Sequence, residues 1–388
     1  MELAESNIMT VYYFTFFLTF VLCFMYDYIV SFRRVERTKE LFSKALFFIR
    51  KILLFACPVP LILITIFRYG IGFDYFHTYV SDYKIYQQGG RIHSDFGCAF
   101  LYKISQAISN NPQVFFIITG FLTLACYYAA AQRFSKVACL PFLIFILDGS
   151  FFRSLSMVSQ YFGIAFLLLS FALLNTGKVK RTNAIIAFIL IFLAVSVHSS
   201  GIIVGLVLIV LFFLKDKLSI RFLIKISCFL PICVFLLKSV IVSILLPIIE
   251  KTRFSSYINS VFDGRSARSI LLIELFFFIM YLILILKYKN NVGKYEAFGI
   301  LFESLAVSCA LLQNALPLMD RMAYYFAAFH ILTFPRMVSL IKSPILKCLS
   351  VVSVCCFLAT WLYLYPISGN YDNFQPYMSI FGNTIIEY

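Results

Sequence analysis

The chain of 388 residues is 62% hydrophobic and 13% charged, with a mean hydropathy of +0.91. That excludes an ordinary soluble domain and predicts a polytopic membrane protein built from apolar runs of about 20 residues. The formal charge of +15 would suit nucleic acid, but the basic residues sit in short clusters between apolar runs and no nucleic-acid module is recognisable. They read as topology signals. The 11 cysteines fall mostly inside apolar runs, as at Cys23, Cys126, Cys228, Cys233, Cys355 and Cys356, without metal-ligand spacing, and read as packing residues.

In chain order, the N-terminus carries Glu2 and Glu5 where a leader would be basic. The first apolar run, roughly 8–30, is too long for a leader and lacks a small-residue cleavage site, so it is expected to remain as a span. A second span at 50–67 opens into "RYGIGFDY", where Arg68 and Asp74 flank Gly70 and Gly72. Glycine permits the sharp bend needed as a span leaves the membrane. The connection 68–111 then carries His77, Asp82, Arg91, His93 and Asp95. Its Tyr75, Tyr79, Tyr83 and Tyr86 recur near helical spacing, which predicts an interfacial amphipathic helix with tyrosines at headgroup level.

Spans follow at 112–130, 137–150 and 156–174, with 149–155 as a turn. "SFFRSLSMVSQYFG" sets Arg153 seven residues before Gln160, two helical turns, so a continuous helix would project both from one face. Spans at 184–198 and 200–214 meet at "VHSSG", where His198 is either a helix-end hydrogen-bonding residue or a base. Three more, at 222–247, 269–287 and 297–315, include Glu274 and Glu303, and intramembrane carboxylates are costly and usually functional. The eleventh, 321–341, opens on "MDRMAYYF" with Asp320 and Arg321 and contains His330, read as a core histidine. The twelfth is 345–365.

In lipid such runs must be helices, because open backbone finds no partner there, and the short alternating segments of a barrel are absent. Alternate connections are basic: Arg33, Arg34, Arg37, Lys39 and Lys44; Arg133 and Lys136; Lys178, Lys180 and Arg181; Lys215, Lys217, Arg221 and Lys225; Lys287, Lys289 and Lys294; Arg336, Lys342 and Lys347. These are expected to face the cytoplasm. The expected fold is all-α, a single polytopic membrane domain over 1–388 with about twelve spans. The loops 68–111 and 248–268 and both termini would face outward.

Taken together, the R-x-x-x-G-x-D-Y run from Arg68, "HSDFGCAFLYKI", the Arg153/Gln160 stretch, "LAVSVHS" and "DRMAYYF" resemble the EpsG-type branch of the Wzy class of bacterial polysaccharide polymerases. The landmarks keep that family's order from residue 68 to about 336. Phe73 stands where the family often has threonine, Asp95 where glutamate is usual, and Ser159 precedes Gln160 where arginine and glutamine tend to be adjacent. The resemblance implies a metal-independent, cofactor-free glycosyltransferase in the bacterial inner membrane, facing the periplasm. It would move a growing glycan from undecaprenyl diphosphate to a lipid-linked repeat unit. A chain-length regulator, a flippase and a ligase are implied as partners, and no nucleic acid.

That reaction needs cations to stabilise a diphosphate leaving group and a base beside the acceptor hydroxyl. Arg68, Arg153 and Arg321 are the candidates for the diphosphate, because a guanidinium binds phosphate oxygens in pairs and stays charged in a cleft. Asp74, His198 and Asp95 are the catalytic candidates, with Asp74 or His198 as base and Asp95 positioning. Gly72, Tyr75, Gln160 and Asp320 support them, and Tyr75, Tyr79, Tyr324 and Tyr325 are candidates to stack on sugars. Ion pairs such as Asp74 with Arg68 are an alternative use of the same charges. No metal is implied, since the outward side lacks D-x-D, H-E-x-x-H and any close carboxylate pair. A lipid-linked oligosaccharide flippase or transporter is the rival that Glu274 and Glu303 keep open, although no internal repeat is visible. A lipid-phosphate-dependent glycosyltransferase is a second, but the connection after the first span is basic rather than acidic.

Overall fold

The computed structural model describes residues 9–35, 40–92, 94–135, 137–175, 179–252, 255, 258, 268–370 and 373–382. His93, Arg37, Lys39, Lys136, Lys178 and most of the 248–268 loop lie outside the described residues. Among those described, the chain is helical, with one isolated antiparallel bridge between Arg68 and Ser379. It divides into two compact units, Met1–Ile202 with Leu362–Tyr388, and Ile203–Trp361.

The first unit holds α1 (Thr10–Val35), α2 (Glu40–Ala56), α3 (Val59–Ile66), α4 (Ser81–Gln87), α5 (Phe96–Ile108) and α6 (Gln113–Phe134). It continues with α7 (Cys139–Leu147), α8 (Ser150–Ser156), α9 (Val158–Leu174) and α10 (Arg181–Val197). The sequence of α9 is apolar almost all round, so it is buried almost all round, packed on α6 and α10. Asp27 of α1 accepts the backbone N–H groups of Ala138 and Cys139, each at 2.9 Å, and so caps α7, whose first N–H groups have no partner within their own helix.

The second unit runs from Ile203 within α11 (Gly201–Leu214) through α12 (Ile220–Leu236), α13 (Lys238–Glu250), α14 (Arg268–Lys287) and α15 (Lys294–Leu312). It ends with α16 (Met319–Ala327), α17 (His330–Ser339) and α18 (Pro344–Leu362). α15 is its hub, packed on α12, α14 and α16. Glu296 at the start of α15 accepts from Gly293 N–H at 2.9 Å and from Arg336 Nε at 3.1 Å, closing that end of the unit.

The expected count of about twelve spans is not confirmed. Among the described residues six segments are long and apolar enough to cross a bilayer, or up to eight if two bent helix pairs each count as one span. Bends account for two of the expected runs and short helices for the other four. α7 stops at Gly149, whose φ of 78° is left-handed, and α8 leaves at 60°; α12 and α13 meet at 78°. The expected eleventh span is two short helices, α16 and α17, while α9, α10 and α11 are apolar but only 14 to 17 residues long. The expected turn 149–155 is instead a buried helix, with every residue of α8 out of solvent.

The 68–111 connection is a packed element of the first unit. A π-helical turn, Tyr75–Val80, leads into α4, and α5 packs against α6 and α10. Tyr75, Tyr79 and Tyr83 are buried in protein. Each phenol has an internal partner there: Gln113 Oε1 at 2.9 Å, Ser159 Oγ at 3.2 Å and the Ser109 carbonyl at 2.9 Å. Partners of that kind make a buried hydroxyl tolerable, so the apolar ring decides the burial.

Candidate functional site

The segment after α3 is shaped by its glycines. Gly72 has φ of 102°, and a Cβ there would run into the carbonyl oxygen of Leu155. The loop thus lies directly on the end of α8 with no room for a side chain. The chain's C-terminal segment covers the loop from another side: Tyr69 N–H donates to Met378 O at 2.9 Å, Ile380 N–H to Phe67 O at 3.0 Å and Gly72 N–H to Asn373 O at 3.0 Å.

Arg68 sits inside this wrapping with 1% of its surface exposed. Its Cζ lies 5.2 Å from the Phe116 ring centroid, on which Tyr75 also stacks at 4.2 Å. Nε and Nη1 are buried with no hydrogen-bond partner, and among the described residues no carboxylate pairs with the guanidinium. Its nearest electrostatic company is phenolic: Tyr75, Tyr12, Tyr79 and Tyr377. These rings are satisfied without it, since Tyr12 Oη donates to Phe374 O at 2.9 Å, Tyr377 Oη to Ile64 O at 3.0 Å and Tyr75 Oη to Gln113 Oε1. Burial lowers the guanidinium to about 10, only partly offset by the tyrosines, so it is still cationic at neutral pH. A buried cation with donors left over is a ready-made anion site.

A second polar group lies in the same unit. Tyr79 Oη accepts from Ser159 N–H at 3.0 Å and lies 3.2 Å from Ser159 Oγ, which is 3.5 Å from His198 Nδ1. The same Nδ1 is 4.0 Å from Asp95 Oδ2, and that oxygen accepts Ser199 N–H at 2.8 Å. The local sequence explains the placement: His198 ends α10, where the helix must release its backbone, and Asp95 starts α5, which packs on α10. Gly97 permits that approach, as a Cβ there would meet Ser196 at 2.7 Å. His198 and Asp95 are both partly buried. Burial and the nearby Asp74 carboxylate raise the Tyr79 phenol, so it keeps its proton.

The other candidates fall differently. Asp74 begins the π-helical turn, half-buried, and makes no ion pair with Arg68. Arg153 and Gln160 are both buried, but the shared-face argument fails: the helix breaks at Met157, and they belong to α8 and α9. The Arg153 charge lies beside the Tyr161 side chain. Asp320 and Arg321 lie in the second unit at the start of α16, half-buried. Tyr75, Tyr79 and Tyr325 are too buried to stack on a sugar in this arrangement, whereas Tyr324 is half-buried.

In the second unit, Glu274, Glu303 and His330 converge, with one ligand atom from each within 4.8 Å of the others, and all are buried. His330 Nδ1 lies 3.2 Å from Glu303 Oε1, and its ring stacks on Phe277 at 4.0 Å. A carboxylate–imidazole set of this kind has the donors to hold a cation. With 1% of its surface exposed, His330 is the core histidine the sequence led one to expect. Sequence reading missed Tyr12, Gln113 and Tyr377, because contacts between the two ends of the chain leave no local pattern.

A chain that is helical throughout its described residues, with six to eight candidate membrane spans, belongs to the class of polytopic membrane proteins, and it carries a buried cation and an Asp–His pair at its helix ends. More narrowly, this chain belongs to the EpsG family, whose family model matches residues 51–379. The match takes in the whole of the loop, the polar chain through His198 and the segment that covers Arg68 as far as Ser379. No curated protein and no solved structure matches it.

Proposed function

We propose that this EpsG-family protein is a glycosyltransferase of the Wzy class. It would transfer a growing glycan from undecaprenyl diphosphate to a lipid-linked repeat unit on the outer face of the inner membrane. Family membership supports the polymerase-like class, and one observation carries the chemistry: Arg68 is buried and charged, with Nε and Nη1 that no group among the described residues satisfies. A diphosphate supplies the missing acceptors and charge.

In this reading the acceptor sugar's hydroxyl oxygen bonds to the donor's anomeric carbon as the bond from that carbon to the diphosphate oxygen breaks. Undecaprenyl diphosphate leaves with its charge stabilised by Arg68. The hydroxyl proton passes to His198. Nδ1 faces Asp95 and Ser159, so Nε2 is the nitrogen assigned to take that proton, and Asp95 stabilises the resulting imidazolium. Ser199 N–H fixes Asp95, and Tyr79 fixes Ser159. Asp74 is held as the alternative base. The resemblance also assigns Arg153 and Arg321 to the diphosphate, with Gly72, Gln160 and Asp320 supporting.

The test is complementation of a host that lacks its own polymerase but makes the matching repeat unit, read as a glycan ladder with membrane levels checked. Wild type should give a ladder, and Arg68→Ala and His198→Ala only single repeats. A second reading, a lipid-linked oligosaccharide transporter, is favoured by Glu274, Glu303 and His330 buried within unit two. It predicts that wild type restores single repeats on the outer face without any ladder.

A further inference from the structure

We infer that the C-terminal segment Asn373–Gly382 is the movable wall of the Arg68 anion site, and that a lipid-linked diphosphate reaches Arg68 only when this strap lifts. The inference rests on the reading of Arg68 as a diphosphate site and adds how the ligand enters. With 1% of its surface exposed, Arg68 touches no outside phosphate in the arrangement seen. Some part of its enclosure must therefore move.

The walls differ in how firmly they are held. Phe116 and Gln113 belong to the 22-residue helix α6, and Tyr12 to the 26-residue α1. The strap has neither helix nor sheet. Its backbone is tied to the 67–72 loop by the three bonds from Tyr69, Gly72 and Ile380, aided by the hydroxyls of Tyr12 and Tyr377. Its inner side chain, Phe374, is fully buried against Phe152 at 4.2 Å, while Phe381 is 76% exposed. Segments with few buried contacts and few hydrogen bonds are the ones that open at low cost.

The strap also has a hinge and a latch. Asn370 and Asn373 adopt left-handed φ of 41° and 51°, and Asn370 Oδ1 accepts from Phe374 N–H at 3.0 Å and Gln375 N–H at 3.2 Å, which fixes the point at which the strap begins. Phe374 and Tyr377 are the latch. Both pack on Tyr12, with ring centroids at 6.1 and 5.5 Å. Closing after the ligand enters would bring Tyr377 over the bound anion and exclude water from it.

The experiment reads access to Arg68 directly, using the full-length protein in nanodiscs, phenylglyoxal as the arginine reagent and mass spectrometry of the Arg68 peptide. Phe67→Cys with Ile380→Cys places thiols on residues that face each other across the bridge, in a background with exposed Cys233, Cys348 and Cys356 changed to serine. Labelling of the reduced pair should fall by about tenfold or more when the disulfide forms, since locking removes the open state. Phe374→Ala, which loosens the latch, should raise it. Equal labelling in the locked and reduced proteins, or none in either while the unfolded chain reacts, overturns the strap. Farnesyl diphosphate in the same assay tests the other premise. If locking blocks labelling but this diphosphate gives no protection, the strap stands and the diphosphate reading of Arg68 falls.

Discussion

At the residue scale, the informative contrast is between Arg68 and its neighbours. Tyr12, Tyr75 and Tyr377 keep their hydrogen bonds whether or not the guanidinium is there. Removing it therefore orphans nothing, while keeping it buries a charge whose proton affinity has fallen from 12.5 to about 10. At about 1.4 kcal/mol per unit, that is a burden of roughly 3 kcal/mol on the fold. It applies in full below pH 10, where both folded and unfolded chains hold the proton. It is relieved as pH rises from 10 towards 12.5, where only the unfolded chain holds it. Arg68→Met should accordingly leave the thermal midpoint in detergent unchanged or raise it, while abolishing the glycan ladder; a large fall in midpoint would make Arg68 a structural residue. His198 and Asp95 call for a different comparison. His198→Ala should cut polymer formation by about 10²–10⁴-fold, the usual worth of an acid–base group. Asp95→Asn can still accept Ser199 N–H but no longer offers a charge to an imidazolium, so it should reduce turnover without loss of folded protein. Equal rates for wild type and Asp95→Asn would leave Asp95 only its backbone bond.

At the element scale, the loop and the helix ends must fit without clearance, and Gly72 sets that fit. Gly72→Ala would have to adopt φ of 102° and overlap the Leu155 carbonyl. Strain of about 1–3 kcal/mol from the backbone alone is expected, with the overlap in addition, seen as a lower thermal midpoint and a lost ladder. Gly89→Ala is the matched control, because Gly89 also has a positive φ, 75°, but its Cβ would meet nothing within 4 Å. A Gly72→Ala protein no less stable than the Gly89→Ala one would remove the close approach as a constraint. The flanking pattern "RYGIGFDY" made this bend legible in the sequence. The tyrosines after it were legible as one helical face, but that Tyr75, Tyr79 and Tyr83 are covered by protein was not, because periodicity shows that residues share a face and not what covers it. Arg153 and Gln160 failed for a related reason: seven residues make two turns only if the helix is continuous, and the break at Met157 has no glycine or proline to announce it.

At the scale of the whole molecule, hydropathy identified the class, and six of the expected runs appear as long apolar helices. The other six do not, because hydropathy cannot see a 60° or 78° bend inside two of the runs, and it does not show that three more are helices of only 14 to 17 residues and that one is a pair of short helices. Nor could it show that the two ends of the chain meet. The bond from Tyr12 to Phe374 sets the start of α1 beside the C-terminal strap, and the strap lies on Arg68. Gln113 at the start of α6 donates to the Arg68 carbonyl at 3.1 Å, and His198 closes α10 in the same polar region as Ser159. The opposite ends of these three helices carry Arg33 and Arg34, Arg133, and Arg181. Basic residues gathered at the helix ends away from the site predict, by the positive-inside bias, that those ends are cytoplasmic. The site and the chain's C-terminus should therefore face outward. An alkaline phosphatase fused after Tyr388 should be active and a fluorescent protein in the same place dark, whereas phosphatase fused after Phe134 should be inactive. The reverse pattern would put Arg68 and His198 on the cytoplasmic side, where lipid-linked repeat units are not yet exported, and would remove the polymerase reading together with the orientation.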